Sequence, residues 1–437
     1  MKNYFKNKLV LVYGLSLSGE WATKLLLRLK AKVFLYDDDR KKLNGKFKNC
    51  FVVTELNESL IAKFDYLIVS PSIEKDNEFL TLARNNYVKI MSELEFASAF
   101  CKDLVAVTGT NGKTTTVEMI SSVLNQKRKS VPCGNIGYPV SRAVLEKKKH
   151  LKVVEVSSFM MENSKTFAPH VATILNIQPD HLIRHKTMET YTKLKMNIFK
   201  NLTPKDFAVV NLDKDIHPLN ECLTVTYSYN HIADVFVKNG AIYLHNEKIV
   251  NLNEIKLKGK HNIYNIMCAI CFAYIYKVKP KKIRNILINL NPEHYRMEHI
   301  ATINNIKFVN DSKSTNVAST LAAVESIMGG VVLLLGGSNK GLDYSSLFNN
   351  LSKKVCQIVV FGEIANQLQL NNAKKFKLEK LETLKEAFDY AVKIAKMNDT
   401  ILLSPASASY DQYSNYIERG KDFDRMVKEY EINAKKK

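Results

Sequence analysis

Three consecutive α/β domains are what the chain predicts, and three observations point to them. Apolar runs of strand length recur from one end of the sequence to the other, with stretches of helical spacing between them. Two strand-to-helix junctions are rich in glycine, at residues 14–19 and 109–112. The length, 437 residues, is room for two to four domains at roughly 100 to 200 residues each. Hydrophobic residues make up 46% and charged residues 24%, the balance of an ordinary folded protein, which excludes disordered, collagenous and disulfide-scaffold classes.

The first alternation begins with residues 9–13 (LVLVY), a short apolar strand. Gly14 to Gly19 (GLSLSG) reads as a tight turn and residues 21–29 as an amphipathic helix. Residues 32–36 are a second strand that ends at Asp37, Asp38 and Asp39. This is a βαβ unit with a ligand-facing turn. Residues 66–70 run as a further strand into Pro71, and a polar stretch leads to Ser92 and Glu93, so residues 1–93 form a Rossmann-like domain. The second alternation has strands at 104–107, 153–156, 172–175 and 207–210 and closes in a helical segment at 262–276. It defines a central domain, 94–295, with a mainly parallel sheet, which the glycine-rich strand-to-helix junction at 109–112 makes P-loop ATPase-like. Strands at 331–335, 357–361 and 400–403 make residues 296–437 a second Rossmann-like domain.

Several function classes drop out. The longest apolar runs, such as residues 266–276, fall short of the roughly 18 to 20 residues that cross a bilayer, so no membrane insertion is expected. Lys2, Lys6 and Lys8 before residues 9–15 imitate a signal peptide, but Gly14, Ser16, Ser18, Gly19 and Glu20 interrupt the run and no A-x-A site follows. Seven cysteines, an odd number scattered along the chain, predict reduced thiols and a cytoplasmic location. Cys268 and Cys271 form a C-x-x-C inside an apolar helical stretch without a second pair, the setting of core cysteines rather than of a zinc or redox site. The net charge of +21 suggests nucleic acid, but arginine supplies only ten of 64 basic residues, and the lysines are spread without an aromatic-interleaved or helix-turn-helix pattern. No nucleic-acid role is expected; the charge reads as a Lys-rich surface that also attracts anionic metabolites.

The sharpest chemical signal is AVTGTNGKTTT, residues 106–116, directly after a strand and before a helix. Gly109, Thr110, Asn111 and Gly112 bring backbone N–H groups to phosphate oxygens, Lys113 reaches the β and γ phosphates, and the Thr114 hydroxyl is placed to ligate Mg²⁺, with Thr115 beside it. The general phosphate-loop pattern has glycine where this chain has Val107, so T-G-T-N-G-K-T-T is a tighter variant.

That loop resembles the ATP loop of the Mur ligases, which build the peptide of bacterial cell-wall precursors. GNIG (134–137), EVSSF (155–159), LNIQPDH (175–181), YTKLK (191–195), GKHNIYN (259–265), NDSKSTN (310–316), LLLGG (333–337) and LLSPASASYDQY (402–413) follow in order, so the resemblance covers nearly the whole chain. It implies an ATP-dependent amide-bond ligase. NDSKSTN, the segment SPASASYDQYSNYIERGKDF and the N-terminal GLSLSG are similar to the D-glutamate-adding branch. The substrates implied are therefore UDP-N-acetylmuramoyl-L-alanine and D-glutamate, handled by a monomer.

The resemblance assigns roles residue by residue. Lys113, Glu155, His181 and Lys195 are catalytic. Thr114 and Glu155 hold one Mg²⁺, and His181 with a carbamylated Lys195 a second; Lys193 is the solvent-facing lysine of the same helix. Asn262 and Asn265 lie on the adenine side, Arg296 clamps nucleotide phosphate and Asp311 binds ribose. Leu15, Ser16 and Ser18 receive the UDP diphosphate, Asp37 the uracil or ribose, and Asn135, Ser157 and Ser158 the acyl substrate near the γ phosphate. Lys313, Thr315, Lys340, Ser409 and the backbone near Tyr416 bind D-glutamate. The chain has Tyr295 where the family often has His before the Arg, and Asn339 where it often has Asp, so His294 receives no role. The alternatives are another Mur ligase, a non-catalytic nucleotide-binding regulator, and an NAD-dependent dehydrogenase built on GLSLSG with Asp37. The last leaves the ATP loop unexplained, and Ser16 would crowd the pyrophosphate.

Overall fold

Runs of Val, Ile and Leu, suited to strands buried on both faces, build three sheets among the described residues. The computed structural model describes residues 4–43, 47–257, 259–290, 294–339, 344–372 and 375–435. It divides into two compact units, one of residues 1–177 and 188–290, the other of residues 178–187 and 291–437.

The first unit holds two sheets. In the first, Leu9–Tyr13 is central, flanked by Lys32–Tyr36 and then Phe51–Val52 on one side and by Tyr66–Val69 and Lys89–Ser92 on the other, all parallel. The strand order reverses beside Leu9–Tyr13, so the turn that follows opens into the crevice where ligands of such sheets bind. The turn is shorter than the sequence predicts, because the helix already starts at Leu17 and runs to Arg28. Ser18 and Gly19 are therefore helical. Gly19 is needed for close packing: a Cβ there would lie 1.9 Å from the Gly14 carbonyl oxygen.

The second sheet orders Ser130–Gly134, Leu151–Glu155, Leu104–Thr108, Val171–Ile174, Phe207–Asn211, Leu223–Ser228 and Val235–Lys238 in parallel, then adds Ala241–Leu244 and Glu247–Asn251 antiparallel. Asn239 and Gly240 turn the chain with φ of 48° and 71°, the primed hairpin geometry that Asn-Gly favours. The helix Lys260–Ile275 is apolar nearly all round and packs against Lys113–Leu124 in the core, with Cys268 and Cys271 fully buried there.

These two sheets share a hydrophobic cluster. Val10, Leu26, Ile68, Leu94 and Phe96 from the first and Ala106, Val154, Ala172 and Val210 from the second belong to it. The helix Glu93–Ser98 is the hinge piece of this packing: Glu93 accepts the Ser141 N–H at 2.5 Å, Ser92 meets Ser164 at 2.7 Å, and Glu95 accepts from both the backbone and the hydroxyl of Thr166 at 2.7 Å.

The second unit holds the third sheet. Glu298–Ile303 and Ile306–Asn310 form an antiparallel hairpin, and Thr400–Leu403, Val331–Gly336, Val355–Phe361 and Leu378–Lys380 continue in parallel. The C-terminal helix Tyr416–Ala434 packs against this sheet. Among the described residues no helix is long and apolar enough to cross a membrane.

Candidate active site

The strand Leu104–Thr108 delivers the chain into residues 109–112, and the helix Lys113–Leu124 begins directly after them. Gly112 caps that helix at φ +84°, and a Cβ there would stand 2.7 Å from Asn265 Oδ1. Only glycine adopts this backbone without strain, and its missing side chain is what lets the Asn265 amide close over the loop. Lys113 folds across the loop, its Nζ donating to the carbonyls of Gly109 and Thr110 at 2.8 Å each. Thr114 and Thr115 are half-buried in the first helical turn, where unsatisfied N–H groups and the helix dipole favour an anion.

Two residues without an assigned role hold this loop. Asn176, just past the strand Val171–Ile174, accepts the Asn111 N–H on its side-chain oxygen at 2.9 Å. Its amide donates to the Asn111 carbonyl at 3.1 Å, and its own carbonyl accepts the Thr110 N–H at 2.9 Å. Tyr191 puts its hydroxyl 3.1 Å from Thr110 Oγ1 and its ring face 4.6 Å from Lys195 Nζ. Asn176 stands in LNIQPDH and Tyr191 in YTKLK, so both motifs marked the region without revealing the contacts.

Lys195 is 2% exposed on the helix Met188–Met196 and donates to the same Gly109 carbonyl as Lys113, at 2.8 Å. Two lysine ammoniums therefore converge on one carbonyl of the phosphate loop. Lys193, two positions earlier, faces solvent, as a helix of 3.6 residues per turn requires.

Glu155 ends the strand Leu151–Glu155, paired in register with Val107 on one side and Gly134 on the other. One carboxylate oxygen accepts from the Asn135 amide at 2.9 Å. The other, Oε2, is buried with no hydrogen-bond partner among the described residues. Asn135 also donates its backbone N–H to the Glu155 carbonyl at 3.0 Å. Ser157 caps the short helix Ser158–Met161, and Ser158 is buried beside it. The i, i+3 pair Asn262 and Asn265 is buried on one helix, and Asn265 reaches the loop at Gly112.

At the N-terminal turn Leu15 is buried and Ser16 exposed, with Ser16 Oγ 2.9 Å from Ser70 Oγ. The Asp37 carboxylate is engaged by the chain itself. Oδ2 accepts the Leu15 N–H at 2.6 Å, while Oδ1 accepts the Asp39 N–H at 2.9 Å and lies 3.4 Å from Lys42 Nζ. What the structure gives Asp37 is control of the turn.

In the second unit Asp311 is fully buried. It accepts the Met297 N–H at 3.2 Å and the Ser404 hydroxyl at 2.8 Å, and burial pushes its carboxyl up against the opposing pull of Arg296. Arg296 lies 3.4 Å from Ser314 Oγ. Lys313 and Thr315 flank the buried Ser314, the Lys313 ammonium is 5.7 Å from the centre of the Tyr416 ring, and Ser409 is buried. Lys340 lies outside the described residues. His181 belongs to this unit, at φ 56° before the short helix Leu182–His185, with Nε2 3.6 Å from Asp180 Oδ2. The implied metal set is thus divided, Thr114, Glu155 and Lys195 in the first unit and His181 in the second.

A phosphate loop that opens a helix at the carboxyl edge of a parallel sheet, with a carboxylate on the adjacent strand end, defines a nucleoside-triphosphate enzyme. The model of the Mur ligase middle domain matches residues 107–273, and that of the Mur ligase glutamate ligase domain residues 295–407. Curated relatives carry the name UDP-N-acetylmuramoylalanine–D-glutamate ligase. The one from Thermoanaerobacter pseudethanolicus is 34% identical over 97% of this chain and 99% of its own. That from Clostridioides difficile is 33% identical over 96% and 98%. The chain belongs to the Mur ligase family. The fold is shared with the solved MurF ligase of Thermotoga maritima in complex with ADP, at TM-score 0.60 and 18% identity over 98% of this chain and 97% of that one. The pseudomurein peptide ligase type C of Methanothermus fervidus gives 0.62 and 19%, over 97% and 100%.

Proposed function

We propose that this enzyme joins D-glutamate to UDP-N-acetylmuramoyl-L-alanine at the expense of ATP, in the cytoplasm and as a monomer, in peptidoglycan precursor synthesis. The near full-length similarity to relatives named for that activity supports the substrates. The observation that carries the chemistry is the convergence of Lys113 and Lys195 on the phosphate loop beside the Glu155 carboxylate. Residues 1–93 would bind the UDP substrate, 94–295 ATP, and 296–437 the amino acid.

A carboxylate does not react with an amine until it is activated. The alanyl carboxylate attacks the γ phosphorus, the bond to the β-bridging oxygen breaks, and ADP leaves, giving an acyl phosphate. The D-glutamate amine then attacks the acyl carbon and inorganic phosphate departs, the amine losing one proton. No protein nucleophile is required, so catalysis consists of positioning and charge neutralisation. Lys113 offsets charge on the transferring phosphoryl group, and Asn135 holds Glu155 in place.

Mg²⁺ fits the residues present: Glu155 Oε2 is a buried hard oxygen without a hydrogen-bond partner among the described residues, at the end of the strand that pairs with the one leading into the phosphate loop. Bound there, Mg²⁺ would neutralise the phosphates. A carbamate at Lys195, as the resemblance implies, would form when its neutral amine adds to CO₂ and releases a proton, giving an anionic oxygen ligand on the buried face of its helix.

Phosphate release from ATP with UDP-N-acetylmuramoyl-L-alanine tests the proposal, comparing D-glutamate, L-alanine, a diamino acid and D-alanyl-D-alanine as acceptors. Turnover with D-glutamate alone is expected. Turnover with another acceptor and none with D-glutamate would refute it.

A further inference from the structure

Arg419 is among the largest fully buried side chains, and among the described residues no carboxylate forms an ion pair with it, the Asp411 charge acting on it from further away. A buried cation without a counter-ion costs several kcal/mol unless its donors are satisfied. All five of its donor contacts go to oxygens of three chain segments. Nε donates to Ser312 Oγ at 3.0 Å. Nη1 donates to the carbonyls of Ala408 at 3.0 Å and Gly336 at 3.4 Å, and Nη2 to those of Ser312 at 2.9 Å and Ser407 at 3.0 Å. Ser312 Oγ passes the connection on, donating to the Tyr416 carbonyl at 2.8 Å.

The neighbouring backbone is shaped to admit this group. Gly337 sits at φ +128°, and a Cβ there would lie 1.9 Å from the Ala408 carbonyl oxygen and 2.9 Å from Arg419 Nη1. The three tied segments are those that lead into the residues read as amino-acid ligands: Lys313 and Thr315 follow Ser312, Ser409 follows Ala408, and Lys340 comes shortly after Gly337. A planar fork with five donors can hold three strands of backbone in one plane, which a lysine point charge cannot.

We infer that Arg419 is the positioning residue of the amino-acid pocket, fixing the segments at 312–315 and 407–409 against the backbone at 336–337 so that Lys313, Thr315 and Ser409 meet the two carboxylates of D-glutamate. The inference rests on the function proposed above. The buried guanidinium also adds fixed positive charge behind the pocket, suited to a dicarboxylate acceptor.

Steady-state kinetics of the full enzyme with D-glutamate, ATP and UDP-N-acetylmuramoyl-L-alanine tests it, in the wild type, Arg419→Lys and Ser312→Ala. Wild-type turnover with D-glutamate is measured first, and its absence would sink the function reading rather than this one. Given that turnover, Arg419→Lys should raise the KM for D-glutamate at least tenfold while the KM values for ATP and the UDP substrate stay within twofold. Ser312→Ala, a milder loss of one donor contact, should shift the D-glutamate KM in the same direction by about threefold, and it decides the question if the lysine variant does not fold. A D-glutamate KM unchanged in the folded variants, or equal rises for all three substrates, would overturn the inference.

Discussion

Gly112→Ala concentrates the steric logic of the phosphate loop in one methyl group. The residue sits at φ +84°, where an alanine costs about 1–2 kcal/mol. The added Cβ would also stand 2.7 Å from Asn265 Oδ1 and 3.1 Å from its Nδ2, well inside contact distance, so the amide has to swing away. Asn265 is buried on a core helix, and forcing its side chain out of its packed place adds about 1–3 kcal/mol. The variant should therefore lose about 2–5 kcal/mol in all. Urea denaturation of the wild type, Gly112→Ala, Asn265→Ala and the double variant closes a double-mutant cycle. The steric part should vanish when the amide is absent, leaving a favourable coupling of at least about 1 kcal/mol. Additivity within about 0.5 kcal/mol would show that Gly112 and Asn265 do not meet, and would remove Asn265 from the nucleotide side of the site.

Lys113→Ala should lower turnover on the order of a thousandfold with UDP-substrate binding by calorimetry intact, because the lysine folds over the phosphate loop and not the N-terminal turn; more than a tenth of wild-type rate would rule the proposed role out. Lys195→Ala should be nearly inactive and regain activity with acetate, while Lys193→Ala matches wild type. Rescue by small amines and not by carboxylates would instead identify a working ammonium. Asp37→Ala leaves the buried Leu15 N–H without its acceptor, so the KM for the UDP substrate should rise roughly tenfold, at about 1–3 kcal/mol for an orphaned donor, with the KM for ATP unchanged. Equal effects on both would move Asp37 out of the turn's control.

The strands that the sequence shows best are residues 9–13, 104–107 and 400–403, buried on both faces, and 32–36, buried on one; all are observed within a residue of their expected ends. Their apolar runs need no partner to be recognised. The strands between Leu223 and Asn251 are half-exposed and interleaved with polar residues, so periodicity does not separate them from loop, although Asn239-Gly240 is a hairpin signal in its own right. In the site, the phosphate loop was legible because all its parts are contiguous. Asn176, Tyr191 and Arg419 were not, because each acts on a segment 65, 81 or up to 107 positions away, and spacing carries no information about such contacts. Asp37 shows the converse: its place at a strand end is visible in sequence, but the internal acceptor role depends on the turn above it.

The apolar cluster common to the first two sheets bears on how such enzymes can be recombined. A cut at residue 93, the end of the first domain read from the sequence, falls at the start of a helix whose carboxylates are anchored at Ser141 and Thr166. A transplanted segment 1–93 would carry Glu93 away from Ser141, and the chain left behind would present Leu94 and Phe96 to a foreign surface. Chimeras that exchange sugar-nucleotide specificity between relatives should therefore carry the helices Glu93–Ser98 and Val140–Glu146 together, as one inherited block.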